Sequence, residues 1–269
     1  MIIDVWMQHP TARHLQHEMF NSIRRWTGTE LSVAEPTLES TLDLFRQAGV
    51  SLALTSAWCG PQGWLIENEE AAEFARRSAT LLKAVASADL RKPMEAVREL
   101  RRAVRQLGCV ALRVIPWLWD LPPDDRRYYP LYVECCELGV PFCTQVGHTG
   151  PLCPSEPGRP IPYLDRVALE FPDLKIVAGH VGFPWVNEMI SLARKYPNVY
   201  IDTSAYTAKR YPPELVDYMR GSGRKKVMFG SNFPMLTPQQ CLADLASLGL
   251  DQEATELFLS GNARSVFRL

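Results

Sequence analysis

The chain has 269 residues, of which 46% are hydrophobic, and its 29 basic and 30 acidic residues give a formal net charge of -1. A balance this close to neutral creates no long-range field towards nucleic acid or an anionic membrane, so neither partner is expected and a small-molecule substrate is favoured. The first residues lack a basic stretch followed by a long apolar segment, and no apolar run reaches the length of a transmembrane helix. We therefore expect a cytoplasmic protein.

Short apolar or β-branched runs alternate along the chain with stretches of helical periodicity, which is typical of βα units. The predicted strands are residues 2–6, 50–57, 81–90, 109–115, 140–146, 174–180, 199–204 and 226–232. The predicted helices lie near residues 37–48, 66–80, 93–107, 126–138, 161–171, 183–196, 212–221, 239–248 and 251–267. Eight such units in a chain of this length predict a single (β/α)8 TIM-barrel domain over residues 1–269.

Two of the loops between strand and helix are longer than usual. The first follows the first strand and extends from Trp6 to Pro36. The second, residues 147–163 (GHTGPLCPSEPGRPIPY), carries five prolines that stiffen it in an extended form. We expect this second loop to form a fixed wall or lid over a pocket.

In a TIM barrel the chemistry lies where the strands end, so the side chains at those positions are the candidate site residues. In chain order they are Trp6, Gln8, Trp58, Asp89, Arg113, Trp117, Gln145, His148, His180, Tyr206 and Asn232. Aromatic residues outnumber charged ones in this set. That composition favours a flat, cyclic ligand held by stacking and apolar burial.

Several stretches of the sequence resemble the amidohydrolase-related family of the amidohydrolase superfamily. They are PFCTQVGHTGP, LKIVAGHVGFPW, NVYIDTSAY, KVMFGSNFP and the terminal GNARSVF, and the resemblance extends from Met1 to the C-terminus. The family includes aminocarboxymuconate-semialdehyde decarboxylase and hydroxybenzoate decarboxylases. The resemblance implies a barrel fold, hydrolysis or decarboxylation, and a metal held by an HxH pair after the first strand, one histidine each from strands five and six, and an aspartate from strand eight.

At those motif positions this chain carries Trp6, Gln8, Gln145, His180 and Asn232, so only His180 is a good metal ligand. Carboxamides are weakly basic and an indole has no lone pair to donate, whereas zinc usually takes three or more imidazole, thiolate or carboxylate ligands. We therefore expect no metal or other cofactor, with Trp6 filling the space of an imidazole and its ion. Zinc or manganese, held by relocated ligands, is the alternative.

In that alternative, the relocated metal ligands would be His9, His148 and His180. His9 precedes a proline and is more simply interpreted as a loop residue. His14 and His17 also fall in the first long loop, where surface or pocket-rim positions are expected.

We expect His180 to be the catalytic acid or base, because an unperturbed imidazole titrates near neutrality. The alternative is a relic histidine that hydrogen-bonds to Gln145 and Asn232. His148 is the next candidate for catalysis. The amide groups of Gln8, Gln145 and Asn232 would then take over the electrostatic role of the metal by donating hydrogen bonds to a developing oxyanion.

Arg113 would bind a substrate carboxylate through its two-pronged guanidinium. The alternative is an ion pair with Asp89 on the neighbouring strand or with an acidic loop residue, and Asp89 is in turn either that partner or a base. The predicted contacts to the substrate are Trp6, Gln8, Trp58, Asp89, Trp117 and Tyr206.

The leading interpretation is a metal-independent enzyme that decarboxylates or hydrolyses a small cyclic or aromatic carboxylate, lactone or enol. A homodimer is expected from the resemblance, because family members are often dimers. Two alternatives stay open: a conventional metal-dependent hydrolase with relocated ligands, and a non-catalytic barrel that binds a ligand.

Overall fold

The computed structural model describes residues 1–27 and 35–269. In this part of the chain the eight predicted apolar runs all form parallel strands. The strands are β1 Ile3–Met7, β2 Leu52–Ser56, β3 Leu82–Val85, β4 Leu112–Val114, β5 Phe142–Gln145, β6 Ile176–Gly179, β7 Val199–Asp202 and β8 Val227–Met228. Nearly every residue in them is buried, as expected for strands covered on both faces.

The strands pair in chain order and close into a barrel. β1, β2 and β3 form one parallel ladder, with Ile3 opposite Leu52. β4 to β8 form the second, in the order β8-β7-β6-β5-β4. Isolated bridges from Met7 to Phe233 and from Ala86 to Leu112 join the two ladders at both edges. The predicted TIM barrel is confirmed.

Helices cover the outside of the barrel between the strands. The α-helices are Ala12–Leu15, Met19–Thr27, Leu38–Gln47, Asn68–Arg77, Pro93–Arg105, Pro116–Trp119, Tyr129–Leu138, Tyr163–Glu170, Val186–Lys195, Pro213–Arg220, Pro238–Leu242, Gln252–Glu256 and Asn262–Phe267. Short 3-10 turns occupy Glu156–Gly158, Ala208–Arg210 and Leu245–Leu248, and a π-turn occupies Leu257–Gly261. In the described part of the chain, no helix has the length and apolar character needed to cross a membrane.

The structure corrects the sequence-based elements at three places. The first long loop contains two helices before residue 28, and its residues 28–34 lie outside the described part. A hairpin of strands Trp58–Gly60 and Gly63–Ile66 follows β2. The single helix predicted near residues 239–248 is broken, because Asp244 adopts a left-handed conformation with φ 61° that no regular helix accommodates.

The proline-rich loop after β5 is tied to itself by hydrogen bonds. The amide of Gly147 donates to Gly158 O at 2.8 Å, and the amide of Thr149 donates to Ser155 Oγ at 3.0 Å. Gly150 and Pro151 of this loop line the pocket described below, so the loop forms part of its wall.

Candidate active site

A pocket of about 850 Å³ opens at the carboxyl ends of the strands, where the barrel rule places function. Its described lining is aromatic and basic and contains no aspartate or glutamate. The aromatic and ionisable residues that line it are His14, Phe20, Trp58, Trp117, His148, His180, Tyr206, Lys209 and Arg210. A pocket lined in this way favours an anionic, flat ligand.

His180 follows β6 and reaches the pocket through a strained turn. It has φ 74° and the next residue, Val181, has φ 54°, both in the left-handed region that β-branched and bulky residues rarely adopt. The imidazole Nδ1 lies 2.8 Å from Ser204 Oγ. The predicted alternative, a histidine bonded to Gln145 and Asn232, is therefore wrong, because the partner is Ser204.

His180 is neutral near pH 7. Burial, and after it the nearby positive charge of Arg113, lower its pKa to about 3, against a hydrogen bond donated by the imidazole to Ser204 that raises it. The ring nevertheless lines the pocket and is only half-buried. If this neutral imidazole donates its Nδ1–H to Ser204, its Nε2 has a lone pair that can accept a hydrogen bond or a proton from a ligand.

Ser204 links His180 to a buried acid at the end of β7. The backbone N–H of Ser204 donates to Asp202 Oδ1 at 2.7 Å. Burial raises the pKa of Asp202 to about 6, and hydrogen bonds from the backbone and side chain of Ser204 oppose that rise. Ser204 is thus held from both sides and fixes the orientation of the His180 ring. Neither Ser204 nor Asp202 was singled out as a candidate from the sequence.

Gln145 lies in the pocket wall, but its amide hydrogens are directed elsewhere. Its Nε2 is within hydrogen-bonding distance of three backbone carbonyls, those of Val146 (3.1 Å), Gly147 (3.0 Å) and His148 (3.2 Å). Since the nitrogen must face these acceptors, Gln145 holds the root of the proline-rich loop. The predicted donation from Gln145 to a substrate oxyanion is wrong.

Gln8 and Asn232 also line the pocket. Gln8 is bonded at both ends: its Nε2 donates to Phe233 O, and its Oε1 accepts from Trp58 Nε1 at 3.2 Å. Asn232, with φ 65°, donates from Nδ2 to the sulfur of Met235 at 3.7 Å and to no other described residue. Sulfur is a weak acceptor, so Asn232 has the least committed amide of the three carboxamides.

Arg113 does not reach the pocket. It is 1% exposed, its guanidinium lies 3.9 Å above the Trp6 ring, and it donates to Val5 O at 3.1 Å and Met7 O at 3.4 Å. Arg113 lies within β4 rather than at its end, so its side chain points into the barrel below the pocket. The predicted contact with a substrate carboxylate is therefore wrong.

The alternative prediction, a pair between Arg113 and Asp89, is wrong as well. Asp89 is bound by the fork of Arg91, with 2.6 Å between Nη2 and Oδ2, and this pair lowers the pKa of Asp89. Asp89 does not belong to the pocket lining, so its predicted role in substrate binding is not supported by its position.

Trp6 supports the pocket from below rather than lining it. It is 1% exposed, and its ring centroid lies 4.9 Å from that of His180. Glycines make room for the indole: a Cβ built on Gly179 would lie 2.6 Å from Trp6 Cζ3, and one on Gly230 would lie 3.2 Å from Trp6 Cβ. Direct contact between Trp6 and a substrate is thus a wrong prediction, and the filling of the space of an imidazole and its ion by this side chain stays a prediction.

The remaining predicted residues are all brought to the pocket. Trp58 and Trp117 face each other with ring centroids 6.3 Å apart, and Tyr206 lies on the wall that follows β7. His148 is exposed at the mouth, where its ring contacts Phe183.

The structure adds three ionisable residues that the sequence analysis missed or misplaced. Arg210 and Lys209 lie on the 3-10 turn after β7 and line the pocket. Lys209 is paired with Asp244 at 2.9 Å, whereas Arg210 forms no ion pair with any described residue. His14 is buried in the pocket wall, not exposed on a loop. Lys209 and Arg210 could have been suggested from the sequence, because they are two adjacent basic residues a few positions after the predicted strand 199–204.

This geometry defines a TIM-barrel protein with a pocket at the carboxyl ends of its strands, and the described lining of that pocket contains no acid. Residues 40–269 match the family model described as Amidohydrolase, so the chain belongs to the amidohydrolase family, and the family and enzyme class expected from the sequence are confirmed.

Individual relatives are distant. The γ-resorcylate decarboxylase of Polaromonas sp. strain JS666 is 23% identical over 247 aligned residues, covering 75% of each chain. An uncharacterised TIM-barrel protein from Bordetella bronchiseptica has a similar structure, with TM-score 0.86, 25% identity and coverage of 99% of this chain and 98% of that one. A dihydroxybenzoic acid decarboxylase from Polaromonas sp. JS666, with bound manganese and 2-nitroresorcinol, has TM-score 0.66 at 18% identity, covering 100% and 97% of the two chains.

The residues of this chain do not fit a metal like that manganese. Among residues 1–27 and 35–269, no three His, Cys, Asp or Glu side chains are grouped so that they could hold an ion. The relocated ligand set also fails, because His9 is buried outside the pocket lining, with Nδ1 3.0 Å from Thr41 Oγ1 and its ring against Phe74. His180 and His148 both line the pocket, but no third such side chain among the described residues joins them to complete a site.

Proposed function

We propose that this protein is a decarboxylase of a small aromatic or cyclic carboxylate, and that it works without a metal. The observation that carries the proposal is the pocket lining, which combines an aromatic wall, two cationic side chains and no acid among the described residues. Such a lining attracts an anion and stacks a flat ring. The related decarboxylases are named for aromatic acids, γ-resorcylate and dihydroxybenzoic acid, and such acids combine a flat ring with an anionic carboxylate.

Arg210 is the proposed anchor for the substrate carboxylate. Its guanidinium has five donors in a planar fork that matches a carboxylate, and no described residue forms an ion pair with it. Lys209 would contribute less, because its ammonium group is already neutralised by Asp244. Arg210 thus replaces Arg113 as the residue proposed to bind the substrate carboxylate.

His180 is the proposed proton donor. For this role the pKa of His180 must rise from about 3, and the negative charge of a bound carboxylate beside the imidazole shifts it in that direction; the proton comes from solvent. Nε2 then protonates the ring carbon that carries the carboxyl group. The bond between this carbon and the carboxyl carbon breaks, its electron pair restores the aromatic ring, and CO₂ leaves.

Other residues of the pocket support this step. Ser204 holds the His180 ring so that Nε2 faces the ligand. Asn232 donates only weakly, to the sulfur of Met235 among the described residues, so its amide can turn to an oxygen on which negative charge develops, and His148 is placed to contact the ligand at the mouth. Trp58, Trp117 and Tyr206 would stack on the ring.

Hydrolysis of a cyclic ester is the second candidate reaction. It is favoured by the neutral state of His180, since an imidazole with a free lone pair can accept a proton from an attacking water. The cytoplasmic location and the homodimer stay predictions from the sequence.

The test is product analysis with purified protein. Decarboxylation converts a hydroxybenzoate to the corresponding phenol and releases CO₂, whereas hydrolysis opens a 2-pyrone carboxylate without gas release. We expect phenol formation by the wild type and at least a 100-fold slower rate for His180→Gln, in keeping with the roughly 10²- to 10⁴-fold contribution of general acid-base catalysis. Equal rates for the two proteins would overturn the role of His180, and ring opening alone would overturn the proposed decarboxylation.

A further inference from the structure

His14 is the most unusual polar group in the pocket wall. It is 1% exposed, and neither ring nitrogen has a hydrogen-bond partner among the described residues. A buried donor or acceptor without a partner is costly, and each such group in a folded protein requires an explanation. Because His14 also lines the pocket, a bound ligand is the natural partner.

The ring is fixed in place although its nitrogens have no hydrogen-bond partner in the described part of the chain. The backbone N–H of His14 donates to Thr11 Oγ1 at 3.2 Å, and that hydroxyl donates to Leu65 O of the hairpin at 2.6 Å. The edge contacts of the ring are with Phe20 and Trp58, at centroid distances of 5.0 and 5.1 Å. The site is therefore built before a ligand arrives.

The charge state of His14 limits what it can bind. Burial lowers its pKa to about 3, so the imidazole is neutral and offers one N–H donor and one lone pair. A carboxylate, which only accepts hydrogen bonds, is matched better by Arg210. A hydroxyl group both donates and accepts, and it suits a neutral imidazole in an aromatic wall.

We propose that His14 binds a hydroxyl group on the ring of the substrate while Arg210 holds its carboxylate. This inference rests on the proposed function and narrows its substrate class to hydroxylated aromatic or enolic acids. His14 is a binding residue here, separate from the proton transfer assigned to His180.

The experiment measures the binding of five probes by isothermal titration calorimetry: benzoate, the 2-, 3- and 4-hydroxybenzoates, and 2,6-dihydroxybenzoate. His14→Phe keeps the aromatic edge contacts and removes both nitrogens, and His14→Gln keeps a donor and an acceptor. His9→Phe is the matched control, because His9 is equally buried but lies outside the pocket and has Thr41 as a partner. The Tm of each unliganded protein is measured in parallel.

We expect the wild type to bind at least one hydroxylated probe more tightly than benzoate. In His14→Phe this preference should fall by about 3- to 10-fold, the effect of one neutral hydrogen bond, while the Kd for benzoate and the Tm stay at the wild-type values or improve. His14→Gln should retain part of the preference. His9→Phe should keep the full preference and lower the Tm, since Thr41 loses its partner.

The outcomes separate the two proposals. A His14→Phe variant that keeps the preference for hydroxylated probes overturns the assignment of His14 and leaves the proposed function standing. A variant that is less stable than the wild type and binds all five probes equally weakly assigns His14 a structural role and also overturns it. A wild type that binds none of the five probes overturns the proposed function and the His14 assignment with it.

Discussion

Gly179 makes room for Trp6 directly beneath the pocket, so Gly179→Ala should destabilise the protein. The added Cβ would lie 2.6 Å from Trp6 Cζ3 and 2.8 Å from Trp6 Cε3, both closer than real Cβ contacts allow, and a tight 3.0 Å from Asp202 Oδ2. The indole cannot move aside easily, because Arg113 and His180 pack on it at 3.9 and 4.9 Å. Overpacking of this kind costs about 1–3 kcal/mol.

The assay is thermal or denaturant unfolding followed by near-UV circular dichroism. For a chain of this size, each kcal/mol corresponds to a shift in Tm of about 2–4 °C. Gly261→Ala is the control: Gly261 has helical angles of φ -59° and ψ -45°, and the added Cβ meets only the flexible end of Leu257 at 3.1 Å. This control should be neutral or slightly stabilising.

Trp6→Phe provides the decisive background, because it removes the ring atoms that the new Cβ would strike. In a double-mutant cycle, Gly179→Ala should cost less in the Trp6→Phe protein than in the wild type, with an interaction free energy of about 0.5–3 kcal/mol. Strict additivity, or a Gly179→Ala protein as stable as the wild type, would refute the tight packing of Trp6 against β6.

Three further predictions concern the pocket. Arg210→Leu should raise the KM for an aromatic carboxylate by about 10-fold, through loss of a charge-assisted hydrogen bond. Lys209→Leu should raise the KM less, because Lys209 is paired with Asp244. Equal effects of the two substitutions in steady-state kinetics would contradict the role of Arg210 as the carboxylate-binding residue. Ser204→Ala should lower kcat about 10-fold with little change in KM and should shift the pH-rate profile, since Ser204 positions the His180 ring. An unchanged pH-rate profile would contradict this positioning role and leave Ser204 a role in packing alone. The pKa of His14 is about 3 in the folded protein and near 6.5 in the unfolded chain, so the wild type loses stability as the pH falls below 6.5, because only the unfolded chain takes up this proton. The free energy of unfolding of His14→Phe relative to that of the wild type should therefore be about 2 kcal/mol more favourable at pH 5 than at pH 7.5. A difference that does not change with pH would contradict the buried neutral state.

The barrel was predictable because its strands are buried on both faces and stand out as apolar runs. β5 and β6 appear within two residues of their predicted limits, and glutamine and histidine at or just after their ends reach the pocket as expected. The helices in the first long loop were missed, since they are short and are held by tertiary contacts such as Thr11 with Leu65.

The error over which arginine reaches the pocket has one physical origin, the depth of each side chain in the barrel. Arg113 lies within a strand and points into the interior, whereas Arg210, eight residues beyond β7, reaches the pocket only because a 3-10 turn folds back over the mouth. Sequence distance from a strand end does not reveal this. The hydrogen bonds of Gln145 were equally out of reach, because they depend on the path of the proline-rich loop.

Metal independence can be measured directly on the purified protein. Turnover of an aromatic carboxylate is followed as CO₂ release before and after exhaustive dialysis against EDTA, with the metal content of each sample determined by mass spectrometry. A pocket built on His180, Asn232 and Arg210 predicts unchanged turnover at far less than one equivalent of metal, and no gain on adding Mn²⁺ or Zn²⁺. Loss of turnover on chelation, with recovery on return of either ion, would contradict it.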